Sequence, residues 1–140
     1  ITCDFYPTFL EATGLTGKAT HNKHVDGVSL VPLLKDPQQP LKREALYWHY
    51  PHYHSGSATP HSAVRAGNWK LIEFFEDNHV ELYNLKDDIG ETRDLAKEQP
   101  QRAQQLKAQL HQWRRDVGAQ LPTPNPKYDP KRSANKAKPS

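Results

Sequence analysis

The sequence predicts an α+β fold: a small antiparallel sheet of about four strands, packed by one C-terminal amphipathic helix. Three observations predict it. Residues 45–85 are rich in aromatic side chains and are interrupted by Gly67-Asn68 and Asp77-Asn78, two tight-turn pairs. Ala103, Leu106, Leu110, Trp113 and Val117 recur at steps of three and four residues, which is one continuous helical stripe. Five prolines between Pro122 and Pro139 then forbid further helix or central strand.

The elements follow in order. Residues 3–13 read as a short helix, with Asp4 as N-cap, Pro7 in the first turn and Phe5, Phe9 and Leu10 as its apolar stripe. Gly14 stops it, and a polar loop runs to Val25. Residues 26–34 hold a second start in which Pro32 allows only a single helical turn. Residues 35–40, with two prolines and two glutamines, form a surface connection. The first strand is Ala45 to Tyr50, ended by Pro51. Residues 62–66 and 69–75 flank the Gly67-Asn68 hairpin turn. Both faces of 69–75 are apolar, which places that strand centrally, and 80–85 supplies the fourth. The helix from Pro100 carries Arg114 and Arg115 in its last turn, where the backbone dipole favours cations, and Gly118 ends it. Trp48, Trp69 and Trp113 are expected in the core. Residues 1–40, 41–120 and 121–140 are therefore expected as connector, sheet-plus-helix unit and poorly ordered tail.

Composition bounds the function. The chain has 140 residues, about one domain's worth, and only 35% are hydrophobic. The net charge is +3, too small for self-repulsion to keep the whole chain disordered. That charge is uneven: residues 127–140 carry five cations and one anion, and the rest is nearly neutral. The tail supplies Pro, Ser and Asn rather than a structured basic face, so no nucleic-acid partner is expected. No run of 18 apolar residues exists, so no membrane partner is expected from a spanning helix. Cys3 stands alone, which excludes an internal disulfide. The chain lacks Met and opens at Ile1, which suggests part of something larger.

The chemistry-bearing residues are few. His49, His52, His54, His61 and His79 lie in or beside the predicted strands. Zinc on His49, His52 and His54 lacks a fourth ligand, because Glu73 is the only acid in residues 45–75. Two readings stay open beside it: half-buried loop residues, or a pocket for an anion with Tyr50 and Tyr53 as walls. Arg65 is mid-strand, and an ion pair to Glu73 or Glu81 across the sheet is expected, with an anion clamp as the other reading. Lys70 reads as a solvated strand residue. Asp4 beside Cys3 would raise a thiol pKa, and no nucleophile elbow, phosphate-cradling loop or paired metal carboxylates are present.

Several runs resemble the sulfatases of the arylsulfatase A type. Asp4-Phe5-Tyr6-Pro7-Thr8, with Asp26-Gly27-Val28-Ser29-Leu30 and Pro32-Leu33-Leu34 further on, is similar to their segment before the C-terminal subdomain. Residues 63–72 resemble the C-terminal hairpin of those enzymes. Glu81-Leu82-Tyr83-Asn84-Leu85, Asp88, Gly90-Glu91-Thr92 and Asp94-Leu95-Ala96 resemble the exit from that sheet. Residues 47–53 are similar to a version in bacterial members. The resemblance implies sulfate-ester hydrolysis by a formylglycine nucleophile with a calcium ion. Neither motif is present, so both are expected in a missing N-terminal α/β catalytic domain, of which residues 1–40 are the end. No cofactor is expected in this chain. The resemblance also suggests a sulfated small molecule or glycan as substrate and a periplasmic or secreted location. Chemistry alone then nominates His52, followed by His49 and His61, as contacts to substrate hydroxyls or sulfate. A non-enzymatic module for anionic glycans and a fragment of a related phosphoester hydrolase are the competing readings.

Overall fold

A computed structural model of the chain describes residues 1–54, 59–123 and 125–127. It divides into two compact units, Ile1–Leu46 and Tyr47–Ser140. Most of the predicted tail lies outside the described residues.

In the first unit a 3-10 turn, Thr2–Asp4, leads into α1, Phe5–Thr13. Two short helices follow, α2 at Ala19–Asn22 and α3 at Val31–Lys35, with Pro32 in the first turn of α3. The expected N-cap bond from Asp4 is not made, because its carboxylate is turned inward and engaged elsewhere. Asp4 is 1% exposed and accepts from the Val28 amide at 3.0 Å, with Arg43 as its ion-pair partner. Thr8, also buried, donates to the Asp4 carbonyl at 2.6 Å and accepts from the Leu30 amide at 2.9 Å. Asp4 and Thr8 lie four residues apart, one helical turn, and so address Val28 and Leu30, two residues apart in the segment that leads into α3. Gly27 permits the approach: a Cβ there would stand 2.0 Å from the Cys3 carbonyl oxygen. The stripe splits, since Leu10 is half-buried while Phe5 and Phe9 stack at 6.0 Å and stay 54% and 64% exposed.

The second unit is a four-stranded sheet in the order β1-β2-β3-β4, with β1 Leu46–Tyr50, β2 His61–Ala66, β3 Trp69–Phe74 and β4 Val80–Asn84. The β2–β3 and β3–β4 pairs are antiparallel. Gly67 enters the hairpin turn at φ 58°, which a Cβ would disfavour. Val64 pairs with Leu71 and Leu71 with Leu82, so the three point to one face, and each is fully buried. That face receives α4, Pro100–Asp116, through buried Ala103, Leu106 and Leu110. Val117 falls past the last helical residue and is exposed, so the stripe ends at Trp113, which stacks on Tyr47 at 4.8 Å.

A buried carboxylate joins sheet and helix. Glu73 lies beside Ser62 on the helix-facing side, 5% exposed, where Lys107 (3.1 Å), His111 (2.8 Å) and Arg114 (2.7 Å) converge on it. Burial alone would raise its pKa; the hydrogen bonds from Lys107 and His111 and the charge of Arg114 hold it below the ordinary value. Arg114 also keeps one guanidinium nitrogen without an oxygen partner, and its guanidinium lies 5.3 Å from the centre of the Phe75 ring, an electron-rich face. This corrects the expected Arg65–Glu73 pair. The antiparallel register puts Arg65 opposite Lys70 on the other face, where it is exposed and, among the described contacts, reaches the Gly67 carbonyl rather than Glu81. Lys70 is likewise not merely solvated, since it holds both Glu91 oxygens at 2.7 Å.

The free edge of β4 is closed by the segment that follows it. Asp94 accepts from the Leu82 amide at 2.9 Å, and the Leu95 amide donates to the Leu82 carbonyl at 2.8 Å. Asp88 folds the turn between them by accepting from the Thr92 and Arg93 amides. Trp69 lies under the Arg102 guanidinium, whereas Trp48 is 40% exposed on β1, against the expectation of a core position. No helix among the described residues is long and apolar enough to cross a membrane.

Three outcomes follow from these contacts. Gly27→Ala, which forces Cys3 and Gly27 apart, is expected to cost about 2 kcal/mol. Faster hydrogen exchange at the Val28 and Leu30 amides would report it. Glu73→Gln is expected to cost about 3 kcal/mol in urea unfolding followed by tryptophan emission, because Lys107 and Arg114 then face no charge. The third concerns acid. Burial alone would raise the Asp4 pKa, but the hydrogen bond from the Val28 amide and the guanidinium of Arg43 lower it. A carboxylate depressed in the folded state stabilises above its unfolded value, and that stabilisation is lost as pH falls below about 4. Asp4→Asn is therefore expected to flatten this limb of the stability-against-pH curve.

Candidate functional site

The predicted histidines gather at one end of the sheet, where β1 ends, β2 begins and β3 ends. They do not form one cluster. Alternation along the strands separates them, because His49 faces the helix side with Tyr47 while Tyr50 faces the other.

His49 uses both ring nitrogens within the chain. Its Nδ1 lies 2.7 Å from the Ser62 hydroxyl and its Nε2 2.8 Å from the Gln120 carbonyl, and its ring meets the Phe75 ring edge-on at 5.7 Å. His61, the first residue of β2, places Nδ1 2.7 Å from the Thr59 carbonyl. A carbonyl only accepts, so Nδ1 carries the proton, and Nε2 of the neutral ring is the acceptor. His52 follows Pro51 and is exposed, with its ring edge-on to Tyr50 at 5.6 Å. Tyr50 also touches His61 at 6.0 Å, His61 touches Phe74 at 5.9 Å, and Phe74 stacks on His79 at 4.4 Å. One row of rings thus runs His52, Tyr50, His61, Phe74, His79 across the sheet end.

The row has a polarity that the sequence pattern did not reveal. The His79 ring is hydrogen-bonded to Asp77 and lies 3.9 Å from Glu81, while next to His52 in the chain the Tyr53 hydroxyl donates to Glu76 at 2.9 Å. Hydrogen bonds from the His79 ring and amide lower the Asp77 pKa, so the His79 end stays anionic. The His52–His61 end has no carboxylate bonded to either ring among the described contacts. Phe74 and His79 enter the row because the β3–β4 turn returns His79 beside Phe74, a pairing that the Asp77-Asn78 turn signal could have indicated.

No group of three or more His, Cys, Asp or Glu among the described residues is arranged to hold a metal ion. Cys3 is exposed and has Asp4 beside it. A cavity of about 390 Å³ lies instead in the first unit, between α1 and residues 15–29, lined in part by Tyr6, Leu10, Asn22 and Val25. Among its described lining residues Glu11 alone is charged, and the Tyr6 hydroxyl donates to Asn22.

A four-stranded sheet clamped by a C-terminal helix, after a helical segment tied by Asp4 and Thr8, defines the class: the C-terminal subdomain of a sulfatase. Residues 1–117 match the family model described as N-sulphoglucosamine sulphohydrolase, C-terminal, and the chain belongs to that family. A sulfatase of Formosa agariphila is 34% identical over 105 residues, 71% of this chain and 19% of that protein. A delta 4,5-hexuronate-2-O-sulfatase of Bacteroides thetaiotaomicron is 30% identical over 97 residues, 69% of this chain and 19% of that protein. Among solved structures, one in complex with its substrate D-glucosamine-2-N,6-O-disulfate superposes with a TM-score of 0.66 at 30% identity, covering 80% of this chain and 23% of that one. A 2-O GAG sulfatase superposes with a TM-score of 0.69 at 25% identity, covering 83% and 25%. The chain therefore spans about a fifth of the length of the curated relatives it matches.

Proposed function

We propose that this chain serves a sulfatase that hydrolyses sulfate esters of glycans, and that its histidine row forms one edge of the substrate cleft. The end of the row at which no carboxylate is bonded to a ring among the described contacts, His52 and His61 joined through Tyr50, is the observation that carries the reading. An anionic sulfate ester favours that end over the Asp77–Glu81 end by simple Coulomb repulsion. His61 offers Nε2 as acceptor to a sugar hydroxyl, or as donor to a sulfate oxygen once protonated, and Thr59 fixes which nitrogen faces outward. His52 supplies a second donor from the loop. His49 stands at the base of the loop rather than beside a ligand, since both of its nitrogens are engaged.

The sulfated sugars named for the relatives support a glycan rather than a phosphate monoester as substrate class. No group among the described residues fits a calcium site, and we assign that chemistry, with the formylglycine, to a catalytic part of the protein outside this chain, while the residues here act by binding and orienting. The exposed Phe5–Phe9 pair gives that part an apolar surface to cover.

The test uses the complete protein encoded with this chain. His52→Ala and His61→Ala are each expected to raise KM for a sulfated sugar about tenfold with kcat little changed, the signature of lost ground-state binding. The 140-residue chain alone is expected to cleave neither sulfate nor phosphate monoesters. Unchanged KM and substrate preference in both variants would remove the reading.

A further inference from the structure

We infer that His49 and Ser62 are positioning residues, which with the Gln120 carbonyl fix the two strand ends that carry His52 and His61. The inference deepens the proposed function and rests on it for its kinetic consequence. The proton positions are set by the partners. The Gln120 carbonyl only accepts, so His49 carries its proton on Nε2, and Nδ1 of the neutral ring accepts from the Ser62 hydroxyl. Ser62 is fully buried, so loss of either partner strands a polar atom away from water.

The staple lies where it controls the loop. His52 is three residues beyond His49, and His61 is the immediate neighbour of Ser62. The 51–60 loop is therefore gripped at both ends by one His–Ser contact. A second tie closes the same base, since the Phe75 amide donates to the carbonyl of Pro60 at 2.9 Å. Phe75 in turn presents its ring to the His49 edge on one side and to the Arg114 guanidinium on another. Arg114 is held by Glu73, the register partner of Ser62. The helix clamp and the loop base are thus one contiguous network, with His49 as its last member before the loop. A histidine suits this place because two opposed ring nitrogens can donate to a carbonyl and accept from a hydroxyl at once.

The test has a kinetic and a spectroscopic arm. In the complete protein, His49→Ala is expected to raise KM for the sulfated sugar about tenfold with kcat within about twofold, and Ser62→Ala to do so about threefold. His49→Asn keeps an acceptor near the Nδ1 position and His49→Gln a donor near the Nε2 position, so each is expected to recover part of the loss. In the 140-residue chain, long-range proton–nitrogen NMR is expected to show His49 as the Nε2–H tautomer and His61 as the Nδ1–H tautomer. In His49→Ala the His61 signals are expected to average between tautomers. Unchanged His61 signals in His49→Ala would overturn the inference, as would Asn and Gln variants no better than Ala. If His52→Ala and His61→Ala leave KM unaltered, the substrate reading fails instead, and the NMR arm still decides whether His49 positions the loop.

Discussion

The second unit depends on one buried carboxylate. Glu73 stands on the helix-facing side of the central strand, and Lys107, His111 and Arg114 from successive turns of α4 close on it. The apolar contacts of Leu106 and Leu110 with the sheet give most of the adhesion but little direction, since apolar contact is tolerant of sliding. A charged pair out of water is intolerant, because moving any member leaves a charge unpaired. Glu73 therefore sets where along the sheet α4 rests. That choice places Arg114 against Phe75 and Phe75 against His49, so the helix position reaches the loop base.

The first unit obeys a similar logic with smaller groups. Asp4 and Thr8, one helical turn apart, satisfy the amides of Val28 and Leu30, and Gly27 lets the two segments touch. The runs that suggested a sulfatase are thus structural devices rather than reactive groups. The same holds after β4, where Asp94 caps the sheet edge, Asp88 folds the turn and Glu91 ties it to Lys70.

The fold was legible because it rests on local periodicities. The step pattern of Ala103, Leu106 and Leu110 and the Gly67-Asn68 turn each need only neighbouring residues to be recognised. What was not legible required knowing which strand faces pair. Arg65 could be offered to Glu73 only until the register placed them on opposite faces, and Trp48 could be assigned to the core only until β1 proved to leave it exposed. The site followed the same division. A histidine-rich loop is visible in composition, but the separation of His49 from His52 and His61 depends on strand alternation. The addition of Phe74 and His79 depends on the β3–β4 turn.

The central claim is that the His52–His61 end of the ring row borders bound substrate. A crystal structure of the complete protein holding an uncleaved sulfated sugar measures this directly. The account predicts a ring nitrogen of His52 or His61 about 3 Å from a sulfate or hydroxyl oxygen of the sugar. Both rings packed against protein, with the sugar more than about 10 Å away and thus beyond any hydrogen bond or bridging water, would contradict it.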